Sequence, residues 1–176
     1  MELNKTKSRF KTKDMVETAL LTALVFVATS FINIPLPGAS GGLMHLGTVM
    51  LVIVSLVFGK EKCAIAGAVG MAIFDLSSPY ALWAPFTFVI RGVMGYVLGA
   101  ISYSNNKNGE NIILNIFALI VSGILMIGGY YISEVILYGN WFAPMASIPG
   151  DITQIVMALI IGIPMAKILK RYMKYI

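Results

Sequence analysis

The sequence predicts an all-α integral membrane protein, a compact bundle of six transmembrane helices with both termini cytoplasmic. Two observations carry this prediction. The 176 residues are 58% hydrophobic and 12% charged, with a mean hydropathy of +0.84, whereas about a quarter of the residues of a soluble domain are charged. The chain also has room for about six apolar runs of the ~20 residues that a bilayer requires. We therefore expect residues 1–176 to form a single membrane domain.

Six apolar runs, separated by polar or turn-rich segments, supply these helices. We expect them over about residues 15–32, 43–59, 63–76, 85–103, 112–137 and 151–168. Pro85 suits the first turn of the fourth helix, because its missing N–H has no helical partner there. The second and third runs are short, which raises the alternative of a re-entrant hairpin. That hairpin would place Lys60 and Lys62 near the bilayer centre, at about 2.5–3.5 kcal/mol each, so two full spans are preferred.

Small residues recur at a spacing of four in several of these runs. Gly95 and Gly99 lie in the fourth, and Ala64, Ala68 and Ala72 in the third. Because this spacing lets helix backbones approach closely, it predicts packing faces within the chain or against a partner, with internal packing favoured.

The basic residues predict the orientation of the bundle. Twelve of the 13 Lys and Arg residues lie in the N-terminal segment 1–14, the turns 60–62 and 104–110, and the C-terminal end, which comprises Lys167 and the tail 169–176. The loops 33–42, 77–85 and 138–150 contain none. Because cytoplasmic segments are enriched in Lys and Arg, we expect both termini inside the cell and these three loops outside. The net charge of +5 is thus a topology and lipid-surface signal, and nucleic acid is not an expected partner.

The sequence lacks the motifs of ATP hydrolysis and of the common enzyme classes. It has no Gly-x-x-x-x-Gly-Lys-Ser/Thr loop, no His-Glu-x-x-His site and no Gly-x-Ser-x-Gly elbow. The single Cys63 excludes an internal disulfide, and the predicted topology separates it from His45. We therefore expect no enzyme, no cofactor and no metal site. Any transport must be driven by a gradient or by another protein.

Once the helices are oriented, the rare polar and aromatic side chains meet at the outer side. Arg91 is the only basic residue outside the cytoplasmic flanks, about two turns or ~9 Å below the outer end of the fourth helix. An ionisable group at that depth is a functional-site candidate by default. A mostly apolar cavity with a few convergent polar groups is typical of a small-molecule site. The candidate substrate-binding residues are His45, Asp75, Trp83, Phe86, Arg91, Tyr130, Glu134, Trp141, Asp151 and Gln154.

Several of these residues also have a structural explanation. Arg91 is also suited to snorkelling, or to an ion pair with Glu134, Asp75 or Asp151 that locks the bundle. Asp151 fits an N-cap as well as it fits a ligand contact, and a lone histidine such as His45 is more often structural. The tryptophans fit an interfacial aromatic belt. Belts normally mark both interfaces, however, and both tryptophans and the only histidine lie on the outer side, which favours a site.

Several motifs together resemble the substrate-binding S components of energy-coupling factor (ECF) vitamin transporters. They are Ala19-Leu20-Leu21-Thr22-Ala23, His45-Leu46-Gly47-Thr48, a glycine-rich third span ending in Asp75, and Trp83-Ala84-Pro85-Phe86. The resemblance covers essentially the whole chain and looks closest to the branch for riboflavin, pyridoxine or hydroxymethylpyrimidine.

This resemblance implies a multi-pass subunit of the cell membrane that captures a vitamin from outside with high affinity. Its implied partners are a transmembrane coupling subunit, two cytoplasmic ATPases and the lipid bilayer. It also implies that Ala19 and Ala23 form the docking face for the coupling subunit.

The charge of the outer half indicates the kind of ligand. Three acids, Asp75, Glu134 and Asp151, stand against Arg91, which favours a neutral or weakly basic aromatic ring over a dianion. A pyridoxine-like or hydroxymethylpyrimidine-like ring fits best, and riboflavin is next. Two other classes stay open: a stand-alone gradient-driven carrier or channel with Arg91 and Glu134 in its ion path, and a structural scaffold without a ligand.

Overall fold

The computed structural model describes residues 11–35 and 43–173, most of them helical. The predicted segments 1–14, 33–42 and 169–176 therefore lie partly outside the described residues. The α-helices in the described part are α1 (Thr12–Phe31), α2 (Gly47–Phe58), α3 (Lys60–Leu76), α4 (Ala84–Ser102), α5 (Ile112–Tyr138), α6 (Ile148–Met157) and α7 (Ile163–Met173). A π-helical turn, Ala158–Gly162, joins α6 to α7, so the predicted sixth helix continues through a local π-bulge.

Two short strands depart from the all-helical prediction. β1 (Asn33–Pro35) pairs antiparallel with β2 (Leu43–His45), and Asn33 lies opposite His45. The second helix was expected to begin near residue 43, but these residues pair as a strand and α2 begins at Gly47. The pairing places His45 immediately before the start of α2.

Gly59 makes the turn between α2 and α3. Its φ of +87° lies in the region that favours glycine, and its N–H donates to the Ser55 carbonyl at 3.0 Å. Helix α3 starts at once with Lys60, so the predicted turn 60–62 is instead the first turn of this helix. Lys62 on that turn forms ion pairs with Asp14 and Glu17, which join α3 to α1.

Helix α2 lies at the centre of the bundle. It packs against α1, α3, α4, α6 and α7, and the side chains of Leu51, Val52 and Val54 are completely buried. A helix that is apolar on all sides is stable only when other elements surround it. The core therefore forms around α2.

Four helical segments within the described residues are long and apolar enough to cross a membrane. They are Thr12–Phe31, Ala81–Ser102, Ile112–Tyr138 and Ala143–Met173. Their outward side chains are large and apolar, as Leu24 on α1 and Ile124 on α5 show, which suits contact with lipid. Helix α2 has 12 residues and is only about 18 Å long. The protein is thus an α-helical membrane protein, while six spans and the cytoplasmic termini stay predictions.

Helices α3 and α4 approach each other closely through glycine. A Cβ atom at Gly99 would lie 2.5 Å from Lys60 Cα, and one at Gly95 would lie 2.9 Å from Cys63 Sγ. No carbon atom fits at these distances, so glycine is required for this spacing. The packing face predicted from Gly95 and Gly99 is therefore an internal one.

Candidate functional site

A cavity lies at the end of the bundle where β2 meets the adjoining ends of α3, α4, α5 and α6. Its free space is about 40 Å³. The residues that line it are Leu43, His45, Asp75, Tyr80, Trp83, Thr87, Arg91, Tyr130, Glu134, Ser147, Asp151 and Gln154. Eight of the ten candidate site residues are among them, although they come from six separate parts of the chain.

Arg91 is the most deeply buried charged side chain of the site, at 1% exposure. Its Nε donates to Tyr130 Oη at 3.0 Å, its Nη1 to Thr48 Oγ1 at 2.9 Å, and its Nη2 to Gln154 Oε1 at 3.1 Å. The sulfur of Met126 lies 2.8 Å from Nη1. Neutral acceptors from α2, α5 and α6 therefore hold the guanidinium in place.

The ion pair that was one alternative role for Arg91 is not formed. Within the described residues, no carboxylate oxygen lies within ion-pair distance of its guanidinium. The side chains of Glu134, Asp75 and Asp151 line the same cavity as Arg91 but form no ion pair with its guanidinium. The physical reason is that uncharged side chains accept hydrogen bonds from Nε, from Nη1 and from one N–H of Nη2 of Arg91. The guanidinium and the three carboxylates therefore line the cavity without forming ion pairs with one another.

His45 presents a second hydrogen-bond donor beside Arg91. The Gly47 N–H donates to its Nδ1 at 3.1 Å, and its Nε2 lies 3.4 Å from Arg91 Nη2. Burial disfavours a charged imidazole, and so does the positive guanidinium at that distance, so the imidazole is neutral. Because Nδ1 accepts a hydrogen bond from Gly47, we assign the proton to Nε2. Two donors therefore face one another, and an acceptor atom of a ligand would satisfy both.

Two buried carboxylate oxygens supply acceptors at the same cavity. Asp75 is 6% exposed and Glu134 3% exposed. Asp75 Oδ2 and Glu134 Oε2 have no hydrogen-bond partner within the described residues. A buried polar atom without a partner is costly. These oxygens are suited to N–H or O–H donors of a ligand.

Trp83 forms an aromatic wall of the cavity. The 3₁₀ turn Ala81–Trp83 leads into α4, and Pro85 lies in the first turn of that helix as predicted. The Trp83 ring is buried, and its centroid is 6.2 Å from that of Tyr130 and 6.1 Å from that of Tyr138. The wall offers an apolar face to a planar ring.

The structure does not bring Phe86 and Trp141 to the cavity. Phe86 precedes the inward-facing Thr87 by one residue, which turns it about 100° around the helix. Trp141 follows Gly139, whose φ of +63° ends α5, and it is 67% exposed.

Sequence reasoning missed several polar residues at the site. Thr87 and Ser147 line the cavity, and Thr48 accepts a hydrogen bond from Arg91. Serines and threonines in apolar helices commonly bond to their own backbone, so they carry little signal. Thr87 was still identifiable, because it lies four residues before Arg91 on the same helix face.

The remaining predicted residues have clear positions. Asp151 lies in the first turn of α6, and Ser147 occupies the N-cap position that was the alternative for Asp151. Ala19 and Ala23 are exposed on α1. No group of three or more His, Cys, Asp or Glu side chains in the described ranges is arranged to hold a metal ion.

Comparison with known proteins decides the family. Residues 9–171 match the family described as ECF-type riboflavin transporter, S component. The chain belongs to this family of S components. A protein of Pyrococcus woesei described as uncharacterized is 35% identical over 84% of this chain and 95% of its own length. A thiamine precursor transporter of Lactococcus lactis subsp. cremoris is 29% identical over 89% of this chain and 85% of its own length.

Membership of this family establishes the general role of the protein. The family is one of membrane-embedded transport subunits and not of enzymes. The chain is therefore the substrate-binding subunit of a transporter for a vitamin or a vitamin precursor. The expectation drawn from the resemblance is confirmed at this level.

Proposed function

We propose that the protein captures a small aromatic vitamin precursor in the cavity around Arg91, with a ring of the hydroxymethylpyrimidine or pyridoxine type as the preferred substrate and riboflavin next. The observation that carries this proposal is that hydrogen-bond donors and unpartnered acceptors lie at the same cavity. The donors Arg91 Nη2 and His45 Nε2 share a cavity with the unpartnered acceptors Asp75 Oδ2 and Glu134 Oε2. A relative named as a thiamine precursor transporter supports the same class.

The polar groups of such a ring match this arrangement. An aminopyrimidine with a hydroxymethyl group has ring nitrogens that accept hydrogen bonds, and amino and hydroxyl groups that donate them. The ring nitrogen or hydroxyl oxygen lies beside Arg91 and His45, and the donors face Asp75 and Glu134. Its flat face packs on Trp83. A substrate with two negative charges is disfavoured, because three carboxylates and one guanidinium line the cavity.

The size of the cavity favours a small ring over riboflavin. Sites for small molecules usually enclose about 300–1,000 Å³, and the free space here is about 40 Å³. Even a single ring enters only when the surrounding side chains move apart. The three-ring system of riboflavin requires a much larger displacement.

The transport step requires partners. In this proposal the cavity faces the outside of the cell, and both termini lie in the cytoplasm. A transmembrane coupling subunit with two ATPases supplies the energy. Ala19 and Ala23 are exposed and small, which suits close contact with a helix of the coupling subunit.

Identification of the co-purified compound tests the function. The protein is purified in mild detergent, denatured, and the released small molecules are measured by mass spectrometry. The proposal expects a stoichiometric aromatic heterocycle in the wild-type sample and a reduced amount in Glu134→Gln. The absence of any bound compound, together with no binding of hydroxymethylpyrimidine, pyridoxine or riboflavin, would count decisively against it.

Reconstitution separates this function from a gradient-driven carrier. Liposomes that contain the protein alone are prepared with a proton gradient or another ion gradient across the membrane. Labelled precursor is then added outside. We expect binding but no accumulation. Accumulation without any ATPase would favour the carrier.

A further inference from the structure

A second cavity lies at the opposite ends of α2 and α5, where α7 also ends. It has a free volume of about 300 Å³ and shares no lining residue with the Arg91 cavity. Its inner wall is apolar and includes Leu56, Ile112 and Ile163. This second cavity takes no part in the proposed substrate binding.

Basic side chains surround the mouth of the second cavity. Lys167, Lys170 and Arg171 line it together with one carboxylate, Glu110. Lys167 and Arg171 are exposed and make no hydrogen bond or ion pair with the residues that the structure describes. The mouth therefore carries a formal excess of positive charge that suits a phosphate group.

Lys170 is held at the side of this cavity. Its ammonium group donates to the Asn108 carbonyl and lies 5.1 Å from the centroid of the Tyr103 ring. The N-terminus of α5 begins nearby at Ile112, and the first N–H groups of a helix favour an anion. Both features increase the positive potential at the mouth.

Asn115 is a buried polar residue that lines the same cavity. It is 4% exposed, and its Nδ2 donates to the Gly109 carbonyl at 2.9 Å. Its Oδ1 has no hydrogen-bond partner within the described residues. A phosphate oxygen cannot satisfy this atom, because both are acceptors. A group with an O–H or N–H donor is needed to satisfy it.

We propose that this cavity binds an anionic glycerophospholipid whose headgroup carries a hydroxyl donor, as in phosphatidylglycerol. The phosphate contacts Lys167 and Arg171, the headgroup hydroxyl donates to Asn115 Oδ1, and the acyl chains lie along Ile112 and the lipid-facing side of α5. An apolar wall below a basic mouth at the end of a membrane helix matches a lipid better than a soluble phosphate ester.

Native mass spectrometry of the full chain in mild detergent tests the proposal. The probes are phosphatidylglycerol, phosphatidylcholine and glycerol 1-phosphate. The variant Lys167→Ala/Arg171→Ala is compared with Lys13→Ala/Lys107→Ala, which removes two exposed basic side chains that do not line this cavity. We expect the wild type to retain one phosphatidylglycerol more strongly than phosphatidylcholine. Retention falls about tenfold in the first variant and stays unchanged in the second.

Two results would overturn the proposal. Equal loss of phosphatidylglycerol in the two variants would show a general charge effect. Binding of glycerol 1-phosphate as tight as that of phosphatidylglycerol would show a site for soluble phosphate esters. Because the substrate cavity is separate, a failure here leaves precursor binding unaffected, and the two proposals are tested independently.

Discussion

Arg91 shows why a buried charge need not have an opposite charge beside it. Its guanidinium donates to the side chains of Tyr130, Thr48 and Gln154, and these contacts keep three carboxylates of the same cavity free of it. Hydrogen bonds to a charged group contribute about 1.5–3 kcal/mol each. The residue therefore stabilises the protein and at the same time directs a donor at the cavity.

Replacement of Arg91 by lysine tests this double role. One ammonium group cannot reach the acceptors on three helices, so Arg91→Lys should lower the free energy of unfolding by about 2–3 kcal/mol. Precursor affinity should fall as well. Denaturation in detergent measures the stability, with the exposed Arg171→Lys as the matched control. Equal unfolding midpoints for the two variants would contradict the assigned role.

Glu134 is expected to act on the ligand and not on the fold. Glu134→Gln keeps the size of the side chain but replaces one acceptor oxygen with a donor. Because Glu134 Oε2 has no partner within the described residues, stability should stay the same or rise slightly. Affinity for the precursor should fall about tenfold or more.

Isothermal titration calorimetry measures this change. The control is Glu61→Gln, which changes an exposed carboxylate on α3. A stability loss above about 1 kcal/mol without a change in affinity would assign Glu134 a structural role instead.

At the scale of elements, the α3–α4 contact depends on glycine. A Cβ at Gly99 would overlap the backbone of Lys60, so Gly99→Ala should separate the helices and destabilise the fold by about 1–3 kcal/mol. Gly128 on α5 has no atom within 4 Å of an added Cβ. Gly128→Ala should therefore be neutral or stabilising by up to about 1 kcal/mol. Equal effects of the two changes on the thermal midpoint would refute this account of the packing.

The positions of the site residues on their helices and strands explain how much of the site the sequence predicted. Rare residue types and the distribution of Lys and Arg identified eight of the cavity residues. Residue type alone does not indicate which face of a helix a side chain lies on: Thr87 faces the cavity because it precedes Arg91 by four residues, and Phe86 lies off that face. The start of α2 at Gly47 could not be predicted either, because it depends on the pairing of β1 with β2, which the apolar run from residue 43 does not indicate.

At the scale of the whole molecule, we expect substrate capture and energy coupling to use different surfaces. The cavity lies among α3, α4, α5 and α6, whereas Ala19 and Ala23 are exposed on α1. Capture should therefore survive damage to the docking face.

Enlarging the small residues of α1 tests this separation. Ala19→Leu/Ala23→Leu should leave precursor affinity unchanged but prevent co-purification with the coupling subunit and uptake by the complete transporter. Gly128→Leu adds a side chain to an exposed face of α5 and serves as the control. Normal uptake by the double variant would exclude this face as the docking site.

Tryptophan fluorescence tests the central claim most directly. The chain has two tryptophans, and Trp141→Phe leaves only Trp83, which is buried at the cavity. Titration of this variant with hydroxymethylpyrimidine should quench its fluorescence saturably at one ligand per chain, and riboflavin should bind more weakly. Addition of Glu134→Gln should shift the curve to at least tenfold higher concentration. Binding without quenching of Trp83, or quenching that is insensitive to Glu134→Gln, would place the substrate elsewhere and contradict the account.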